Sequence, residues 1–287
     1  MTNLQTGRHV HLPSDFDPGA GAAMPVAHTH ESPDAHTRQA EHESDYMEVD
    51  VHSHGHVLDG PHIPRVSKTG RTIHLEQELL AKNTRLAERN RGWLAGRGVV
   101  ALNIMSSPGA GKTTLLERTL KELGGQVAFH VIEGDQATLR DAERIRAAGG
   151  KAVQVNTGSG CHLDAAMVAA ALQQLDPPPG GIVLIENVGN LVCPALFDLG
   201  EHARVVVASV TEGDDKPMKY PHMFRVADVI VLNKTDLCPH VEFDVPAFER
   251  RARDLNPNAC LIQLSALRGT GMDGWLQWLL EARRGVA

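Results

Sequence analysis

The segment Ser106-Ser107-Pro108-Gly109-Ala110-Gly111-Lys112-Thr113-Thr114 follows directly on the apolar run Val99–Met105 and opens a helical stretch, Lys112–Leu123. No other feature restricts the fold so tightly. A glycine-rich turn between a strand and a helix lets consecutive backbone N–H groups point inward around phosphate, and the helix N-terminus adds partial positive charge. The spacing fits the phosphate-loop pattern GxxxxGK[ST], with Ser106 in place of the first glycine. Lys112 is placed to reach the terminal phosphates and Thr113 to offer its hydroxyl to Mg²⁺. Ser107, Pro108, Gly109, Ala110, Gly111 and Thr114 complete the cradle.

Beyond this loop, short β-branched runs alternate with helical stretches. The runs are Val127–Ile132, Ala152–Val155, Ile182–Ile185, Val205–Val210, Val229–Leu232 and Leu261–Leu264; the helical stretches are Thr138–Ala148, Leu163–Leu175, Phe248–Leu255 and Met272–Ala282. Such alternation predicts an α/β fold of the P-loop NTPase type, a mostly parallel sheet with helices on both faces, over residues 98–287. An amphipathic helix over 73–97 leads into it, because Leu75, Leu79, Leu86 and Trp93 recur at helical intervals, with Glu76 and Glu78 early and Arg85, Arg89 and Arg91 late. Residues 1–70 read differently. Eleven of the sixteen histidines lie before residue 75, amid Pro, Gly, Ser, Asp and Glu. Too little apolar surface is present there to offset the entropy of ordering, so a disordered, His-rich tail is expected.

A net charge of −7 gives no footprint for non-specific binding to nucleic acid. No window approaches the ~18 uninterrupted apolar residues of a membrane span. The start lacks a secretory signal and four cysteines are too few for a disulfide scaffold, so a cytoplasmic protein without a membrane partner is expected.

The base is read from Asn233-Lys234-Thr235-Asp236 at the carboxyl end of the run Val229–Leu232. The Asp236 carboxylate suits the paired N1–H and amine donors of guanine, which adenine lacks, and Asn233 is expected at the base's major-groove edge. Ser265-Ala266-Leu267 ends a later strand and resembles a loop that supports the base through backbone N–H. Together these favour GTP over ATP. Two carboxylates follow strands closely, Asp135 and Glu186. Either can hold Mg²⁺ directly, hold it through water, or orient the attacking water, and the sequence does not separate these roles. Gly189 suits a segment that senses the third phosphate and moves when it leaves.

Thiolate and imidazole come together in Gly158-Ser159-Gly160-Cys161-His162-Leu163-Asp164, and a further cysteine, Cys193, lies four residues beyond Gly189. Such donors suit Zn²⁺, Ni²⁺ or Cu. Three ligands leave a tetrahedral site incomplete, so water or a cysteine from a second chain must close it, and a two-fold dimer interface is a natural solution. Cys238 and His240 form a second pair beside the guanine loop, read as structural. Cys260 is read as a core residue at the start of a buried strand, and His130, His202 and His222 as satisfied structural histidines.

The blocks SSPGAGKTTLLE, IEGDQATLRDAERI, VNTGSGCHLDA, ENVGNLVCPALFDLGE, SVTEGDDKPMKYPHMF and NKTDL, in this order, resemble the hydrogenase maturation GTPases of the HypB family from about Leu75 to Leu280. The resemblance implies a P-loop GTPase of the signal-recognition and MinD-like (SIMIBI) class. It implies a homodimer whose Cys161, His162 and Cys193 bind Zn²⁺ or Ni²⁺ at the interface, and slow GTP hydrolysis that gates nickel release. Its partners would be a hydrogenase-specific nickel carrier and the hydrogenase large-subunit precursor. Unlike some members, the tail has no cysteine, but imidazoles such as His52, His54 and His56 can share Ni²⁺ reversibly. Two alternatives stay open: a nickel reservoir acting through the tail, and the related urease nickel GTPase. The latter is distinguished by a Cys-Pro-His motif where this chain has Cys161-His162 and Cys193-Pro194.

Overall fold

Seven strands line up in parallel, the five inner ones buried almost throughout as strands covered on both faces are, the two edge strands less so. They are β1 (Val100–Ser106), β2 (Phe129–Glu133), β3 (Lys151–Gln154), β4 (Ile182–Glu186), β5 (Ala203–Ser209), β6 (Val229–Asn233) and β7 (Cys260–Gln263), in the order β3-β2-β4-β1-β5-β6-β7. Every neighbouring pair is parallel. The helices are α1 (Lys68–Gly96), α2 (Lys112–Leu123), α3 (Leu139–Ala147), α4 (Ala165–Leu175), α5 (Lys216–Lys219), α6 (Pro221–Arg225), α7 (Val245–Leu255) and α8 (Met272–Val286). The computed structural model describes residues 68–134, 139–157 and 160–286, all within the unit Ile63–Ala287. The expected tail with His52, His54 and His56, and the carboxylate Asp135, lie outside the described residues.

Side chains alternate across the sheet, as pleating requires. Val100, Leu102 and Ile104 of β1 pack with α2 and α8 through Leu115, Leu116, Leu120, Trp275 and Leu279. On the opposite face, Ala101 joins Leu94 of α1 and Val168 and Leu172 of α4. Met105, Val206, Ile230 and Phe248 form a third cluster beside α6 and α7. Burying this much aliphatic surface at roughly 25 cal/mol per Å² supplies the main driving force for folding. It also holds the carboxyl ends of β1, β4 and β6 at one edge.

The chain runs outward from β1 to β2 and β3, then returns to β4, which lies between β2 and β1. Ligands in open α/β sheets bind beyond the carboxyl ends of the strands where the order reverses, which here is the edge carrying the phosphate loop and Glu186.

Three expectations need correction. First, α1 begins before Ile73, and its buried stripe is not the leucine series, since Leu79 is 55% exposed. The covered face is Asn83, Ala87, Asn90 and Leu94, also at helical spacing, but with two polar members. Those asparagines are buried because backbone groups of other segments take up their hydrogen bonds. Secondly, Cys260 is exposed rather than core, because β7 is an edge strand. Thirdly, His130 is buried but not satisfied: among the described residues neither ring nitrogen has a hydrogen-bond partner. Burial, and then the nearby Lys151 charge, push its pKa below the usual imidazole value against the opposing pull of Asp176. His202 and His222 are exposed. Cys238 packs against the third cluster, in keeping with a structural cysteine.

Candidate functional site

The phosphate loop leaves β1 at Ser106 and enters α2 without any side-chain cap. Gly109 and Gly111 take φ of 76° and 101°, a left-handed conformation that side chains disfavour. The loop and the first residues of α2 border a cavity of about 520 Å³, bounded in part by Pro108, Lys112, Thr113, Glu186, Gly189 and Lys234. The Lys112 ammonium donates to Ser106 Oγ at 2.9 Å, so the residue that departs from the glycine pattern anchors the lysine. Thr113 Oγ1 donates to Glu186 Oε1 at 2.8 Å, across the gap between α2 and the end of β4. A hydroxyl and a carboxylate in this relation fit Mg²⁺, a hard cation that takes oxygen ligands.

Two groups at this end of the sheet escaped the sequence reading. Glu133 ends β2 directly opposite Glu186 in the sheet register and is buried. Its place at the last position of a strand was the available signal, within the block that also holds Asp135. Arg144 of α3 lines the cavity and pairs with Glu117 at 2.8 Å.

The base loop is bound to the phosphate loop. Asn233 Nδ2 donates to the Ala110 carbonyl at 2.9 Å, and its Oδ1 accepts from the Ala266 N–H at 3.0 Å. Its amide thus joins the two loops. Lys234, itself at φ 61°, donates to the Gly109 carbonyl at 2.7 Å. Asp236 is half-buried with Arg268 3.9 Å away. Ser265 and Ala266 are buried and Leu267 is 71% exposed, as suits a loop that presents backbone amides to a flat ring.

The metal constellation assembles from two loops. Donor atoms of Cys161, His162 and Cys193 all lie within 4.8 Å of one another, with Cys161 Sγ 3.6 Å from His162 Nδ1. Two sulfurs and an imidazole converging in this way fit a soft or borderline divalent ion. Burial lowers the pKa of His162 below 6.5, partly opposed by Asp164, and the neutral ring is the form that binds metal. The adjoining Cys161 thiol, and then burial, raise that of Cys193, so loading a metal must release a proton. The His162 ring stacks on Phe197, with centroids 3.8 Å apart, a contact no spacing rule foretold. Beside Cys193, Val192 and Leu196 are 54% and 51% exposed. The Cys238 and His240 pair takes part in no cluster of three metal-binding side chains among the described residues.

The segment that carries Cys193 passes against the phosphate loop. A Cβ on Gly189 would stand 3.1 Å from Pro108, so the backbone three residues past Glu186 lies against the phosphate loop, and Cys193 follows it in the same segment. No helix among the described residues is long and apolar enough to cross a membrane.

Comparison with known proteins agrees with this geometry. Residues 100–263 match the family model described as the CobW/HypB/UreG nucleotide-binding domain. The chain is 55% identical over 236 residues to the hydrogenase maturation factor HypB of Escherichia coli K12, covering 82% of this chain and 81% of that one. It resembles the crystal structure of HypB from Archaeoglobus fulgidus at a TM-score of 0.68 and 46% identity, over 71% of this chain and all of that one. HypB from Helicobacter pylori in complex with nickel is similar at a TM-score of 0.66 and 38% identity, over 71% of this chain and 96% of that one. A parallel-sheet nucleotide fold, a lysine and threonine poised over a phosphate cavity, and a sulfur and imidazole cluster on the adjoining loop thus meet in a chain that belongs to the HypB family of hydrogenase maturation factors.

Proposed function

We propose that the protein hydrolyses GTP and uses the state of the nucleotide to control how firmly it holds a nickel ion destined for [NiFe]-hydrogenase. The contact of Gly189 with Pro108 carries this reading, because it puts the segment ending at Cys193 under the influence of the phosphate site. Lys112 and the α2 amides bind and orient the phosphates, and Asp236 and the Ser265–Leu267 loop select guanine. Mg²⁺, when bound at Thr113 and Glu186 with Asp135 as a further carboxylate, supplies charge neutralisation for phosphoryl transfer. Loss of the third phosphate releases the segment 186–189 and loosens the Cys193 corner of the metal cluster.

The three donors leave a fourth position open for water or for a group from a second chain. The exposed Val192 and Leu196 flanking Cys193 support closure across a homodimer. The nickel-bound relative supports nickel as the cargo, and the family's role in hydrogenase maturation supports a dedicated nickel carrier and the large-subunit precursor as the next partners. The imidazoles of the tail, His52, His54 and His56 among them, would hold further ions in reserve.

Nickel release tests the reading. A Cys161→Ala, Cys193→Ala double variant keeps the nucleotide site, and its transfer of nickel to a chelator is expected to lose all dependence on GTP. Undiminished nucleotide-dependent delivery from that variant would overturn it.

A further inference from the structure

Behind the metal cluster lies a closed ring of buried hydrogen bonds. Asn187, the residue after Glu186, accepts at Oδ1 from the Leu163 N–H at 3.2 Å and from the Val188 N–H at 2.9 Å. Leu163 directly follows His162. Asn187 Nδ2 donates to Asn103 Oδ1 at 3.1 Å, and Asn103 Nδ2 donates to Glu201 Oε1 at 3.3 Å. The second oxygen of Glu201 accepts from the Leu199 N–H at 2.6 Å. Asn90 of α1 closes the circuit, its Nδ2 donating to the carbonyls of Leu199 at 3.0 Å and Ala165 at 2.8 Å. Asn187, Asn103, Glu201, Leu199, Asn90, Ala165 and Leu163 are all at most 6% exposed.

The ring joins the three segments whose relation the proposed function needs. One is the phosphate-sensing stretch from Glu186 to Gly189. Another is the turn from Cys161 to Ala165, which ends at the start of α4. The third runs from Cys193 to Leu199 and includes Phe197, on which the His162 ring stacks. Asn83 reinforces the last junction, accepting from the Ala165 N–H at 2.8 Å and donating to the Asp198 carbonyl at 2.7 Å.

We infer that Asn187, Asn103 and Asn90 are positioning residues that transmit the state of the phosphate site to both metal-bearing loops, an inference that rests on the nucleotide-controlled nickel reading above. Asn103 sits in β1 between β4 and β5 and is held by the sheet. The Asn187 N–H donates to the Ile104 carbonyl of β1 at 3.0 Å, so a change in the Glu186–Gly189 stretch reaches the ring as a reorientation of the Asn187 side chain, which the sheet-held Asn103 does not follow. That reorientation is taken up at Leu163, because leaving that buried N–H without a partner costs more than moving the turn. Asn90 sets how far the Ala165 and Leu199 ends can separate, and so whether the imidazole and Cys193 move together.

The test uses the full chain, with nickel followed by thiolate-to-nickel charge-transfer absorption, which reads sulfur-bound metal and is blind to imidazole-bound metal. Affinities are measured with GDP and with a non-hydrolysable GTP analogue. In the unaltered protein the two are expected to differ on the order of ten-fold. Asn90→Ala, far from the phosphates and in a helix that accepts alanine, is expected to keep GTP turnover within about two-fold while that ratio collapses toward one. Asn187→Ala is expected to collapse it as well. A ratio that survives in Asn90→Ala overturns the inference while leaving the proposed function standing; a ratio of one in the unaltered protein overturns both. Should Asn187→Ala not fold, hydrogen exchange of the Leu163–Ala165 amides in the unaltered protein decides: protection must change between the two nucleotides, and identical protection overturns the relay.

Discussion

Gly111→Ala is expected to lower affinity for GDP and GTP by roughly 100-fold or more. Two independent effects combine. Gly111 has φ of 101°, where an alanine costs about 1–2 kcal/mol. Its Cβ would also stand 2.5 Å from Asn233 Nδ2. Asn233 cannot step aside freely, since its amide is engaged by both Ala110 and Ala266. Relief therefore disturbs the phosphate loop and the base loop together, and about 1.4 kcal/mol is lost for every tenfold in affinity. Gly109→Ala serves as the comparison. It has φ of 76° but nothing within 4 Å of the added carbon, so only the backbone strain applies and a loss of roughly ten-fold is expected. Titration with a fluorescent GDP analogue measures both. Equal losses would show that the contact with Asn233 contributes nothing.

Glu186→Gln is expected to reduce GTP turnover roughly 10²–10³-fold with a much smaller effect on GDP affinity. The amide oxygen of glutamine still accepts the Thr113 hydroxyl hydrogen bond, and the side chain keeps its shape in a buried site. What is lost is the negative charge at the proposed Mg²⁺ position, and phosphoryl transfer depends on neutralised and positioned charge rather than on covalent chemistry. Single-turnover hydrolysis measures it. Turnover within a few-fold of the unaltered protein would move the task to Asp135 or Glu133, the other carboxylates that follow or end β2.

What the sequence discloses depends on how local the signal is. The strands and long helices were legible because each buried run and each apolar stripe is written in consecutive residues, and α2 runs from Lys112 to Leu123 as its periodicity indicates. The phosphate-loop turn between β1 and α2 and the convergence of Cys161, His162 and Cys193 were legible because such features depend on residue type at short spacing. The packing of α1 was not. Its leucines suggested one face, while the buried face uses Asn83 and Asn90, whose partners lie 75 to 115 residues away. Asparagine in a helix reads as surface until those backbone partners are known. Gly200 shows the same limit from the other side. It has φ of 84°, and a Cβ there would run into the Ala87 carbonyl, so α1 and the loop after Phe197 fit only because that residue is glycine.

The hydrogen bonds of Asn233 to Ala110 and Ala266 were not legible, since which of several polar neighbours an amide reaches is a property of the assembled loops. Cys260 failed for a topological reason. An apolar run does not reveal whether its strand is central or at the sheet edge, and β7 is an edge.

The decisive measurement is the nickel affinity of the thiolate site in the unaltered protein, compared between GDP and a non-hydrolysable GTP analogue. With Gly189 against Pro108 and Asn187 holding the turn after His162, the two affinities must differ, on the order of ten-fold. Identical affinities in the two states would mean that the phosphate site and the metal cluster lie side by side without acting on each other.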